Sequence, residues 1–132
     1  MSSVTLRPYG ELTWQHFSLP RHAGLPQDEP LLHAAASTPA ADAQVEVGVS
    51  IRAGETEQAG FVAHAAPEVI AALDLFCERI TERSLRAMDA ADLQQIAAEL
   101  NLPPEKRYGL LLLQDLLAAL QSDLNSHLAA PT

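Results

Sequence analysis

Hydrophobic and polar positions change period along this chain, and each change marks a different kind of element. Leu12, Thr13, Trp14, Gln15, His16 and Phe17 predict a short helix. It ends before Leu19-Pro20, because a residue followed by proline is pushed out of the helical region. From Leu19 to Asp42 the chain carries Pro20, Pro26, Pro30 and Pro39, which predicts a loop-rich connection with one short edge strand at Leu31 to Ala36. Val45, Val47, Val49 and Ile51 then alternate with Glu46, Gly48, Ser50 and Arg52. A period of two buries one face and wets the other, so this is the clearest strand. Ala53-Gly54-Glu55 supplies a turn, and Thr56 to Ala63 returns as an antiparallel partner.

After Ala65-Ala66 the period becomes helical. Pro67 suits a first helical position and Glu68 places an anion where the helix dipole favours it. Val69, Ile70, Leu73, Phe76, Cys77 and Ile80 predict one buried stripe on a helix from Pro67 to Thr81. Ser84 to Met88 reads as a short helical turn, and Asp89 to Leu100 as a helix with Leu93, Ile96, Ala97 and Leu100 inward. Pro103-Pro104 is expected to stop it, and a last helix runs from about Lys106 to His127. A helix, then strands, then helices predicts an α+β domain: a small antiparallel sheet of about three strands with helices on one face.

At 132 residues and 14.2 kDa the chain suits a single domain over 1–132, with flexible ends expected at 1–8 and 128–132. Eight Lys and Arg stand against seventeen Asp and Glu, for a formal charge of -9. That leaves no basic stripe for phosphates, so nucleic acid is not an expected partner, whereas basic proteins are. No apolar run reaches membrane-spanning length and the N-terminus has no apolar core, so no membrane partner is expected and the expected location is cytoplasmic. There is no catalytic Ser/His/Asp set, no Gly-rich phosphate loop and no carboxylate pair at a motif spacing, which argues against an enzyme.

Two motifs carry a family resemblance. Tyr9-Gly10-Glu11-Leu12-Thr13-Trp14-Gln15-His16-Phe17-Ser18-Leu19-Pro20-Arg21-His22-Ala23-Gly24 resembles, without a gap, Y-x-E-x-x-x-x-H-[YF]-x-N-P-R-N-x-G. Asp92 to Lys106 resembles D-I-A-E-E-L-x-L-P-P-x-K. Both belong to the NifU/IscU type of iron-sulfur cluster scaffold, and the resemblance covers about Tyr9 to Asp123. It implies the IscU/SufE-like α+β fold.

The resemblance also implies three cysteine ligands with an Asp and a His close by. Here the first cysteine position, from P-A-C-G-D, falls on Ala41 within Pro39-Ala40-Ala41-Asp42. A one-residue deletion puts Asp42 in the Asp slot, and an ungapped alignment puts Ala43 there. The second, from Y-G-C-G-S-A, falls on Ala66, and the third, from H-C-S-x-L, falls on Gly109 beside Tyr108. Ala and Gly have no donor atom, so no metal site or cofactor is expected and the chain reads as a scaffold fold without scaffold chemistry. Asp42 and His64 are the residual ligand candidates.

The leading reading is a non-enzymatic interaction or accessory module, which the resemblance links to iron-sulfur cluster assembly, with a cysteine desulfurase or an Hsp70-type chaperone as implied partners. The alternatives are weak iron or cluster binding through Asp42, His64 or Cys77, and a small molecule held in the vacated site. Leu102-Pro103-Pro104-Glu105-Lys106 resembles the L-P-P-V-K segment that such chaperones recognise. Read as extended and proline-stiffened with an apolar lead residue, it suits a peptide groove, although Glu105 replaces an apolar residue. Cys77 falls on the apolar stripe and reads as core. His16 and His22 are expected to brace the opening loop. Leu113, Leu116, Leu117, Leu120 and Leu124 share one helical face, and Leu111 points away from it. Leu111 together with an exposed Leu112 would make an apolar docking patch.

Overall fold

A computed structural model describes residues 10–27 and 31–129. Tyr9, which opens the first motif, lies outside the described residues, as do most of the two ends expected to be flexible. The order is α1 (Glu11–Ser18), β1 (Leu31–Thr38), β2 (Ala43–Arg52), β3 (Glu55–His64), α2 (Pro67–Glu82), α3 (Ala90–Leu100) and α4 (Tyr108–Ala129). Among the described residues the three strands form one antiparallel sheet in the order β1-β2-β3. This is the expected α+β architecture, with helices packed on one face.

The alternating residues make β2 the spine of the sheet. Val45, Val47, Val49 and Ile51 all point into the helix layer and are buried. Arg52 pairs with Glu55 across a two-residue turn in which Ala53 (φ 54) and Gly54 (φ 80) are both left-handed. That is the turn whose twist matches a hairpin. A register shift at Ser50/Ile51 leaves Glu57 as an extra residue in the β3 side of the ladder, so β3 is bulged, and beside it the Gln58 N–H donates to Ser50 Oγ at 3.1 Å.

The helix layer corrects several sequence expectations. α2 has more than one buried stripe: Ala71, Ala72 and Leu75 are buried along with Val69, Leu73, Phe76, Cys77 and Ile80, whereas Ile70 is only half-buried. The reason is position, because α2 lies between β3 on one side and α1, α3 and α4 on the others. Helix α3 is stopped not by the proline pair but by Asn101, whose left-handed backbone (φ 51) closes its last turn. At its start Asp89 and Asp92 form a reciprocal capping box. Pro104–Lys106 is a separate 3-10 turn, so α4 begins at Tyr108, and it continues through Leu128 and Ala129.

The outer face of the sheet is partly roofed by the chain itself. Segment 21–26 leaves α1 and runs along β3, with Gly24 N donating to Phe61 O at 2.6 Å and Phe61 N to His22 O at 2.9 Å. It then crosses the sheet over Gly60 and Gly48. A Cβ on Gly60 would lie 1.9 Å from the Gly24 carbonyl oxygen, so only glycine permits this crossing.

Candidate functional site

The vacated positions lie on three segments that come together at one end of the sheet. Ala41 closes a 3-10 turn, Pro39–Ala41, between β1 and β2, and Thr38 Oγ1 accepts a hydrogen bond from its N–H. Asp42 follows in the left-handed region (φ 52) and turns its carboxylate toward the end of β3. There Asp42 Oδ2 lies 3.5 Å from His64 Nε2. The two side chains are 87% and 75% exposed, so the contact is a solvated surface pair of little energetic weight. Ala43, the other candidate for the Asp slot, is a buried strand residue facing the helices. Asp42 is therefore the residue that meets His64.

Two residues beyond His64, Ala66 caps α2 by its backbone alone: its carbonyl accepts from Val69 N and Ile70 N, and no side chain bonds the first turn. Pro67 and Glu68 complete that turn as expected. Gly109 is buried in the first turn of α4, where a Cβ would stand 3.3 Å from Val69 Cγ2. The start of α4 thus packs on the start of α2, bringing the second and third positions onto touching helix ends, beside the Asp42–His64 pair. Chemically the end offers the Asp42 carboxylate, the His64 imidazole, the half-buried Glu68 in the first turn of α2 and the half-buried methyls of Ala65 and Ala66. Among the described residues no three His, Cys, Asp or Glu side chains group to hold a metal ion.

The other candidates separate. Cys77 is fully buried in the middle of α2, and burial, with the Asp74 carboxylate adding to it, pushes its thiol far above the ordinary range. That is an inert core thiol. Leu102 is 4% exposed and its N–H donates to Ala97 O at 3.1 Å, so the segment is a folded turn whose lead residue belongs to the core. The extended reading of Leu102 to Lys106 is corrected on that point; Pro104 and Glu105 are exposed, and Pro103 and Lys106 half-buried. Leu111 is 61% exposed, as its position on the wheel predicts, but Leu112 is buried, so no patch forms from the two. Near the vacated end, an open recess on the outer face of the sheet reaches His64.

Sequence reasoning missed Asp74. Buried in α2, it places Oδ2 2.6 Å from His16 Nδ1, and its Oδ1 accepts from His22 N at 2.8 Å. His22 Nδ1 is 3.0 Å from Ala59 O. One carboxylate therefore ties α1 and segment 21–26 to the core, which is the bracing expected of the two histidines with their partner now identified. The available signal was a lone acid inside Ala71-Ala72-Leu73-Asp74-Leu75-Phe76-Cys77.

No family model matches the sequence, and no curated protein matches it. Solved structures do. The N-terminal part of a nitrogen-fixing NifU-like protein from Brucella abortus superposes with a TM-score of 0.58 at 15% identity, covering 92% of this chain and 95% of that one. The fold is NifU-like. A hypothetical protein of known crystal structure is similar as well, with a TM-score of 0.52, 16% identity, and 89% and 88% of the two chains covered. Identities this low carry the architecture and not the chemistry. Among the described residues no helix is long and apolar enough to cross a membrane.

Proposed function

We propose that this chain is a non-enzymatic NifU/IscU-like accessory or interaction module, acting through protein contacts and without cluster ligands of its own. The observation that carries the proposal is the end where Asp42 meets His64 and α4 packs on α2. The three positions that the motifs assign to cysteine hold Ala41, Ala66 and Gly109 there. A cluster or a zinc ion needs several soft or basic donors held at fixed geometry, and one exposed Asp with one exposed His falls short of that. A protein of cluster assembly, a cysteine desulfurase or an Hsp70-type chaperone, is the partner class the resemblance supplies. For the chaperone, Pro104 and Glu105 are the exposed part of the resembling segment.

A second reading, weak metal binding, draws on the 3.5 Å approach of Asp42 to His64. One experiment separates the two. Anaerobic incubation with iron and sulfide, followed by desalting, is expected to leave the native chain colourless, and the triple variant Ala41→Cys, Ala66→Cys, Gly109→Cys, incubated in parallel with a zinc salt, to gain a zinc site with sulfur at about 2.3 Å. Because the new Cβ at 109 approaches Val69 Cγ2 at 3.3 Å, a parallel variant adding Val69→Ala relieves the crowding. A stoichiometric brown species on the native chain, lost in His64→Ala, would establish the second reading. A folded triple variant that takes up no zinc would show that the three positions are not a ligand set.

A further inference from the structure

β1 is an outer strand, and part of its free edge has no occupant among the described residues. In an antiparallel pair alternate residues turn both backbone groups toward the partner, and those between turn both away. The His33 N–H donates to Asp123 Oδ2 of α4 at 3.4 Å, which fixes His33, Ala35 and Ser37 as the outward set. Ala35 and Ser37 are exposed, and among the described residues neither their N–H nor their C=O groups are paired.

Charge around this edge is one-sided. Ala35 pairs with Glu46, and Glu46 with Val62, which is 43% exposed. The Glu46 carboxylate lies 2.7 Å from His33 Nε2 and remains partly open to solvent. Asp123 stands at the edge itself and Asp42 beyond its end. The recess along these residues is lined by no Lys or Arg among the described residues, in a chain of net charge -9. Because Ala35 places only a methyl group between the edge and Glu46, a long cationic side chain on an added strand reaches that carboxylate across it.

We propose that the β1 edge from His33 to Ser37 takes up an extended cationic segment of a protein partner as an added strand. Its backbone pairs with Ala35 and Ser37, and its Lys or Arg side chains meet Glu46 and Asp123. A second copy of this chain is the weaker occupant, since it brings a second Glu46, a second Asp123 and another nine negative charges to the same seam. This surface involves neither Ala66 nor Gly109, and it shares with the interaction reading only the need for a protein partner. The zinc experiment and the one that follows therefore fail independently.

The probe is a capped peptide alternating lysine and valine, titrated to millimolar concentration into the isotope-labelled full chain and followed by amide shifts. Shifts are expected along 31–38 and 44–48, with affinity falling as salt rises. Ser37→Pro removes an outward N–H, leaves the β1–β2 ladder intact and is expected to abolish binding. Glu46→Gln is expected to weaken binding severalfold. Glu46→Lys is expected to transfer the preference to a peptide alternating glutamate and valine, and it keeps the test decisive where Ser37→Pro disturbs the strand. Equal binding of the glutamate peptide by the native chain, shifts confined to other elements, or no shifts at millimolar peptide would overturn the proposal. So would a concentration-dependent dimer that Ser37→Pro dissolves, which would assign the edge to a second copy.

Discussion

The middle of α2 and its first turn are two polar regions of one helix, built to opposite standards. At Asp74 both carboxylate oxygens are engaged, the site is closed to water, and its partners come from α1 and from the segment that roofs β3. At Ala66 the helix start has no side-chain cap and faces a solvated Asp42–His64 pair. The first region holds the architecture together and tolerates no loss of donor or acceptor. The second lies where the motifs would place chemistry, and the sheet and helices close without any side chain there. The fold and the site are thus physically separable in this molecule.

The sharpest way to break that contrast is Asp74→Ala. It strands the His16 ring and the His22 N–H in a buried site, and a loss of about 3–5 kcal/mol is expected in urea unfolding. An unchanged midpoint would mean that the clasp is dispensable. Next is Gly60→Ala, whose Cβ collides with the Gly24 carbonyl oxygen. A loss of about 2 kcal/mol is expected, with faster proteolysis within 21–26 as the displaced segment lifts. Restoration of native protease resistance by no more than a small shift of that segment would count against a tight crossing.

Cys77 sharpens the contrast through pH. Its thiol is raised by burial, so above the ordinary thiol range, about pH 8.5, the unfolded chain loses a proton that the folded chain keeps. Stability is therefore expected to be flat below that range and to fall above it by up to about 1.4 kcal/mol per pH unit. Cys77→Ala is expected to cost about 1 kcal/mol at neutral pH and to remove that alkaline slope. Rapid labelling of the native thiol would contradict its burial. Smallest of all is Leu111→Ser, expected to move stability by less than about 0.5 kcal/mol because the side chain is already exposed. A larger loss would place Leu111 in the core after all.

What was legible in the sequence followed the range of the physics involved. Val45 to Ile51 announced β2 because alternation is a local pattern, and Pro67-Glu68 announced the start of α2 because capping is local too. The all-round burial of α2 was not legible: the small residues Ala71 and Ala72 are equally at home on a wet face, and only neighbours on several sides bury them. Leu102 read as a presented residue because a proline pair follows it, whereas Asn101 turns it back into the core. At the candidate site the sequence could locate Ala41, Ala66 and Gly109 by motif, but the meeting of Asp42 with His64 depends on β2–β3 register. The Asp74 clasp joins residues 58 and 52 positions apart, beyond the reach of any periodicity.

Those separations also set an order of events during synthesis. The sheet is a meander of sequential neighbours, so β1, β2 and β3 can zip together as hairpins soon after they are made. Segment 21–26 gains its anchor at Phe61 with β3 itself, but the Asp74 anchor that holds α1 lies in α2 and is translated later. At ordinary elongation rates His16 waits about 3–12 s for its carboxylate. During that interval α1 lacks the core on which Leu12 and Phe17 come to pack, although it is made well before the helix that anchors it.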